Sequence, residues 1–134
     1  MNIKKYFSSL CVAAVLLTGA SSGHAAIDQC MKYSEPYDRG YCTVKTFLST
    51  DKEMGRTYNE LKKYITKEEF AELKKLQSTW LRYRSARCLI PDTDDIDVTC
   101  SYNLTIERTD FLIQHLEHCE KGACHTRVLL EKSW

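Results

Sequence analysis

Four aspartates, Asp92, Asp94, Asp95 and Asp97, fall within six residues, and no basic residue lies between Cys88 and Cys100 to offset them. Four like charges in a short loop repel one another, although solvent screens much of that cost. Such a loop attracts cations. Calcium is a poor fit, because the spacing lacks the Gly and the terminal Glu of an EF-hand loop. The remaining readings are a docking site for a cationic partner, or a solvated loop whose Asp side chains cap the helix that follows. A second cluster, His118-Cys119 and Cys124-His125, supplies zinc ligand types. Both His stand next to a Cys rather than a loop away, which favours a Cys119–Cys124 bridge over a metal site. Catalytic patterns are missing. There is no Gly-x-Ser-x-Gly elbow, no His-Glu-x-x-His and no phosphate-cradling Gly loop. The expectation is a protein that is not an enzyme and holds no cofactor or metal.

Those residues belong to a chain of 134 residues, enough for one small domain. The net charge is +1, which argues against a nucleic-acid binder. Residues 1–25 read as a secretory signal peptide. Lys4 and Lys5 precede an eight-residue apolar run at 10–17, and small residues follow up to Ala25. That run is far short of the roughly 20 residues needed to span a bilayer. Cys11 lies inside the run, which argues against a lipid anchor. Cleavage after about Ala25 removes two Lys and no acid, taking the charge from +1 to −1. It also removes Cys11 and leaves six cysteines. An even count in an exported chain reads as a disulfide framework. Fifteen pairings are possible. Spacing favours three local ones: Cys30–Cys42, Cys88–Cys100 and Cys119–Cys124.

The elements that must position these groups are helical. Val44, Phe47, Leu48, Met54, Tyr58, Leu61 and Ile65 recur at helical spacing. Thr66 followed by Glu69 forms a capping box that starts a second helix. Phe70, Leu73, Leu76, Trp80 and Tyr83 share one face of it, and Pro91 marks its end. A third helix carries Leu104, Phe111, Leu112, Leu116 and Cys119. The tail after Cys124 gives no clear signal. The near-absence of a linker around Thr66 folds the first two helices into an antiparallel hairpin along which the third returns. The expectation is a single all-α domain over residues 26–134, an antiparallel helical hairpin plus a third helix, stapled by local disulfides.

Leu73, Gln77, Trp80, Tyr83, Arg84 and Cys88 together resemble the hallmark segment of the lysozyme inhibitor LprI-like family of small exported bacterial proteins. The resemblance continues through Cys100, Leu104-Thr105, Arg108 and Leu112. Upstream it takes in Cys30, Cys42, Asp51, Met54, Gly55 and Tyr58. It spans about residues 30–112. The family pattern has Asp where this chain has Ser85, Arg where it has Ser78 and Asn where it has Gly55. A Gly-Gly-Ser stretch common in the family is replaced by the Asp-rich loop, and the Cys119–Cys124 loop has no counterpart. The resemblance implies a largely helical fold and a periplasmic inhibitor that blocks lysozyme-like peptidoglycan hydrolases without covalent chemistry.

The motif positions Asp51, Tyr58, Gln77, Trp80, Tyr83, Arg84, Thr105 and Arg108 read mainly as a polar and aromatic network tying the helices together. A buried Arg needs such partners. Asp92, Asp94, Asp95 and Asp97 are the candidate contacts to a lysozyme, since many lysozymes are strongly basic. Two other readings stay open: an envelope binding or immunity protein against another peptidoglycan-targeting toxin, and a structural or stress-related envelope protein. No nucleic acid and no membrane anchor are expected after signal removal.

Overall fold

The computed structural model describes residues 22–131. Most of the expected signal segment lies outside these residues. Five helices follow one another: α1 (Ser22–Cys30), α2 (Pro36–Leu61), α3 (Lys67–Arg87), α4 (Val98–Glu120) and α5 (Thr126–Glu131). Strands are absent among the described residues, apart from one isolated bridge between Leu89 and Ile96. No described helix is long and apolar enough to cross a membrane. The all-α hairpin with a returning third helix is present as α2, α3 and α4, with short helices added at both ends. α1 runs across the expected cleavage point after Ala25.

α2 begins eight residues before the apolar periodicity at Val44. Pro36 explains the early start, because it occupies the first helical turn, where a missing N–H costs nothing. Asp38 follows in that turn and favours its positive dipole end. Arg39 then clasps the α1–α2 turn, its Nη1 donating to the carbonyls of Tyr33 at 2.9 Å and Ser34 at 2.6 Å. The stripe read from spacing divides in two. Met54 and Leu61 are buried and Phe47 and Tyr58 half-buried, whereas Val44 and Leu48 face outward.

Antiparallel packing of α2 on α3 is fixed by three side-chain pairs: Asp51 with Arg84, Met54 with Gln77 and Tyr58 with Phe70. Arg84 with Thr105 and Gln77 with Arg108 set α4 antiparallel to α3 in turn. α2 and α4 therefore run parallel, and theirs is the most extensive close backbone packing among the described helices. Short polar side chains permit that approach. Ser101, Thr105 and Thr109 are all buried on α4, one turn apart. The hydroxyls of Thr105 and Thr109 are satisfied within the helix, donating to the carbonyls four residues back at 2.7 and 2.6 Å. The main core gathers Met54, Leu61, Leu73, Trp80, Leu112 and Leu129. A smaller one beside α1 joins Ile27 to Tyr102 and Ile106.

Three of the four inter-helix turns are closed by disulfides. Cys30–Cys42 joins α1 to α2, Cys88–Cys100 joins α3 to α4, and Cys119–Cys124 closes the turn before α5. The fourth turn, between α2 and α3, relies on the Thr66 capping box. The Thr66 hydroxyl accepts from the Glu69 amide at 3.1 Å, and the Glu69 carboxylate accepts from the Thr66 amide at 2.8 Å. That amide, with the Thr126 and Thr66 hydroxyls behind it, holds the Glu69 carboxyl below its ordinary 4.5. α4 ends in a Schellman motif. Ala123 N–H donates to the His118 carbonyl and Gly122 N–H to that of Cys119, with Gly122 at φ +78.

Two glycines make opposite predictions. Gly55 lies mid-helix, and nothing stands within 4 Å of a Cβ added there. Gly55→Ala should stabilise by about 0.5–1 kcal/mol, read as a higher urea midpoint. Gly122→Ala should destabilise by about 1 kcal/mol in the same measurement, because its backbone is left-handed. Glu69 adds a pH dependence. Its lowered pKa contributes stability that is complete above about pH 4.5 and fades as pH falls through the folded value. The urea midpoints of the parent and of Glu69→Gln should therefore converge on acidification.

Candidate functional site

The motif residues come together inside the bundle. Arg84, on α3, reaches both neighbours. Its Nη1 donates to Asp51 Oδ1 on α2 at 2.5 Å and to Thr105 Oγ1 on α4 at 2.7 Å. Its guanidinium also lies 5.2 Å from the ring centroids of Phe47 and Trp80. A planar cation between two aromatic faces is favourable where water is scarce. Two turns away on α3, Gln77 links the same helices. Its Nε2 donates to the Met54 sulfur at 3.5 Å, and its Oε1 accepts from Arg108 Nε at 3.0 Å. Arg108 is 2% exposed, and its guanidinium lies 5.0 Å from the Phe111 ring. Desolvation lowers its pKa to about 10, which leaves it charged at neutral pH.

Trp80 is buried, Tyr83 is half-buried against the main core, and Tyr58 stacks on Phe70 with ring centroids 5.1 Å apart. Burial raises the Tyr58 hydroxyl pKa. This constellation therefore joins three helices and faces inward. It includes two nodes, Asp51–Arg84–Thr105 and Gln77–Arg108. Its chemistry is that of buried charge held by acceptors and aromatic faces.

The acidic loop is built differently. Residues 88–97 form a small disulfide-closed hairpin. Ile90 N–H donates to the Asp95 carbonyl at 2.9 Å, and Asp97 N–H to that of Cys88 at 2.8 Å. Its tip is a tight turn, with Thr93 N–H donating to the Ile90 carbonyl at 3.2 Å, Pro91 at the second position and Asp92 at φ +61. Proline followed by a left-handed residue is the signature of a type II turn, and Asp tolerates that conformation better than most side chains. Asp97 caps α4, its Oδ1 accepting from Cys100 N–H at 3.0 Å. The four carboxylates therefore divide. Asp97 is committed to the helix start, whereas Asp92, Asp94 and Asp95 are exposed and form no ion pair with a described residue.

Cys119 and Cys124 are bonded to each other, with the rings of His118 and His125 6.0 Å apart beside them. No group of three or more His, Cys, Asp or Glu among the described residues could hold a metal. Two surfaces escape a reading by spacing alone. One is a cleft between α2 and α4 lined by Glu53, Glu60, Glu117 and Glu120. Much of its charge is offset, because Glu53 pairs with Arg56, Glu60 with Lys63 and Glu117 with Lys121. The other is the outward face of α2 around Tyr37 and Tyr41, both exposed. Helical spacing carries the signal for both, but it does not say which faces α3 and α4 would cover.

The buried network predicts unequal costs. Arg84→Met should destabilise by about 2 kcal/mol, since it removes the charged hydrogen bonds to Asp51 and Thr105 and the guanidinium contacts with Phe47 and Trp80. Asp51→Asn should cost about 1 kcal/mol or less, because the Asp51 side chain is 38% exposed against 14% for Arg84. Urea unfolding of the two variants with the disulfides intact checks the order.

A family model described as Lysozyme inhibitor LprI matches residues 28–112, well over half of the chain, and the chain belongs to that family. The match contains the Cys30–Cys42 and Cys88–Cys100 bridges and the whole buried network, and ends before Cys119–Cys124 and α5. No curated protein and no solved structure matches the chain.

Proposed function

We propose that this member of the LprI family is an exported, periplasmic inhibitor of lysozyme-like peptidoglycan hydrolases. It occludes the target without covalent chemistry and is not itself an enzyme. The family match over residues 28–112 carries this reading. The signal segment read in residues 1–25 supports export, and the disulfide framework suits an oxidising compartment. Asp92, Asp94 and Asp95 support an electrostatic contact, since exposed carboxylates on a rigid hairpin would steer a basic protein toward it. Residues 26–134 would then be the working domain.

The test is residual muramidase activity on cell walls at two salt concentrations, against lysozymes of several classes. The expected result is stoichiometric inhibition that weakens as salt rises. Replacing Asp92, Asp94 and Asp95 with Asn removes the charge while keeping a residue that tolerates the left-handed turn at position 92. This triple variant should associate about tenfold more slowly at low salt, with its stability unchanged. No inhibition of any class would overturn the reading. Inhibition that ignores both salt and the triple variant would remove the acidic hairpin from the mechanism.

A further inference from the structure

Most of the large apolar side chains left exposed gather at one end of the bundle. Tyr37, Tyr41, Val44 and Leu48 recur every three or four residues along α2, so they share one face. Tyr37 is 80% exposed, Tyr41 61% and Leu48 58%. Leu89, Ile90 and Ile96 on the disulfide hairpin are exposed as well.

The helix register brings these two groups to the same end. Asp51 pairs with Arg84 and Met54 with Gln77, so Arg87, the last residue of α3, stands level with the stretch from Val44 to Leu48. α2 continues back to Pro36, roughly 12–18 Å beyond that level at the rise of an α-helix. Past that point α3 no longer flanks α2. α1 is fastened by Cys30–Cys42 and by the Cys30–Thr46 contact, and it sits on a different side of α2 from the Tyr37–Leu48 face. The hairpin of residues 88–97 follows directly from the end of α3 and carries the three unpaired aspartates.

Charge around the face is lopsided. Lys45 and Lys52 fall on the flank turned away from α3, about a quarter-turn or more round the helix from Asp51 and Phe47. Arg39 is engaged by the carbonyls of Tyr33 and Ser34. The hairpin at the same end carries Asp92, Asp94 and Asp95, against the single basic Arg87 at the end of α3. Tyrosine-rich apolar surface at the same end of the bundle as carboxylates without an ion pair among the described residues is the composition of an interface core with a charged rim.

We propose that the outward face of the N-terminal half of α2, together with the 88–97 hairpin, is the docking surface for a cationic protein. The apolar face would form the buried centre and Asp92, Asp94 and Asp95 the rim. This rests on the proposed function and deepens it, because the occupant is the basic hydrolase itself. The two parts should act on different rate constants. Apolar anchors slow dissociation, and rim charges speed association.

The experiment is binding kinetics on an immobilised basic lysozyme that the parent inhibits. The protein is produced from its full chain in an oxidising compartment. Tyr37→Ala, Tyr41→Ala and Leu48→Ala are compared with Leu81→Ala and Val128→Ala, which remove exposed apolar groups elsewhere. Helical content and urea midpoints confirm that each variant is folded. At least one tyrosine variant should dissociate tenfold or more faster at an unchanged association rate, and the two controls should match the parent. If the parent binds and every α2-face variant dissociates like it, the docking surface is wrong while the inhibitor reading stands. If the parent binds no lysozyme of any class, the inhibitor reading fails and takes this occupant with it. A concentration-dependent dimer in sedimentation, abolished by Tyr41→Ala, would assign the face to a second copy of the chain and overturn the proposal.

Discussion

The guanidinium of Arg84 is shared by three helices, and the bundle is arranged around it. It stands on α3, bonds to Asp51 on α2 and to Thr105 on α4, and is flanked by Phe47 and Trp80. A planar cation with donors in a fixed fork accepts only a narrow range of partner positions. Hydrophobic packing alone would tolerate sliding of one helix past another. The Arg84 node does not, because a slip of one turn would leave a buried charge without its acceptors, at a cost of several kcal/mol. Gln77, two turns along α3, and Arg108 on α4 repeat the constraint.

Covalent and capping devices work at the turns. Three disulfides close the α1–α2, α3–α4 and α4–α5 connections. Each shortens the unfolded chain's range of conformations, by about 2–3 kcal/mol for loops of this size in the chain-entropy account. The α2–α3 turn has no bridge and depends on Thr66 and Glu69, whose carboxylate also meets the Thr126 hydroxyl at the start of α5. Register is thus set in the middle of the helices and connectivity at their ends.

This division bears on function. The side chains that carry the family resemblance point inward, where they hold the frame. Family membership therefore bears first on the scaffold, while the outward residues of α2 and of the 88–97 hairpin hold no helix in place. A rigid hairpin suits a contact role, because little conformational entropy remains to be lost when it is covered. The α2 face continues a helix whose inward sides are held by α1, α3 and α4.

Much of the fold was legible in the chain. The capping box at Thr66, the helical stripes of α3 and α4, and the three local cysteine pairs all depend on residues close in sequence, where spacing is itself geometry. Aspartate at the left-handed turn position and at the cap of α4 obeys the same local rules. Tertiary structure decided what spacing could not. Val44 and Leu48 share a helical repeat with Met54 and Leu61, and both pairs satisfy the same apolar pattern. Only the docking of α3 and α4 determines which become core and which stay exposed. The line of Ser101, Thr105 and Thr109 on α4 is as polar as a surface face, yet it is buried, with the Thr105 and Thr109 hydroxyls bonded within their own helix. Local hydrogen bonding and turn chemistry are written residue by residue, whereas burial depends on what arrives from a distant part of the chain.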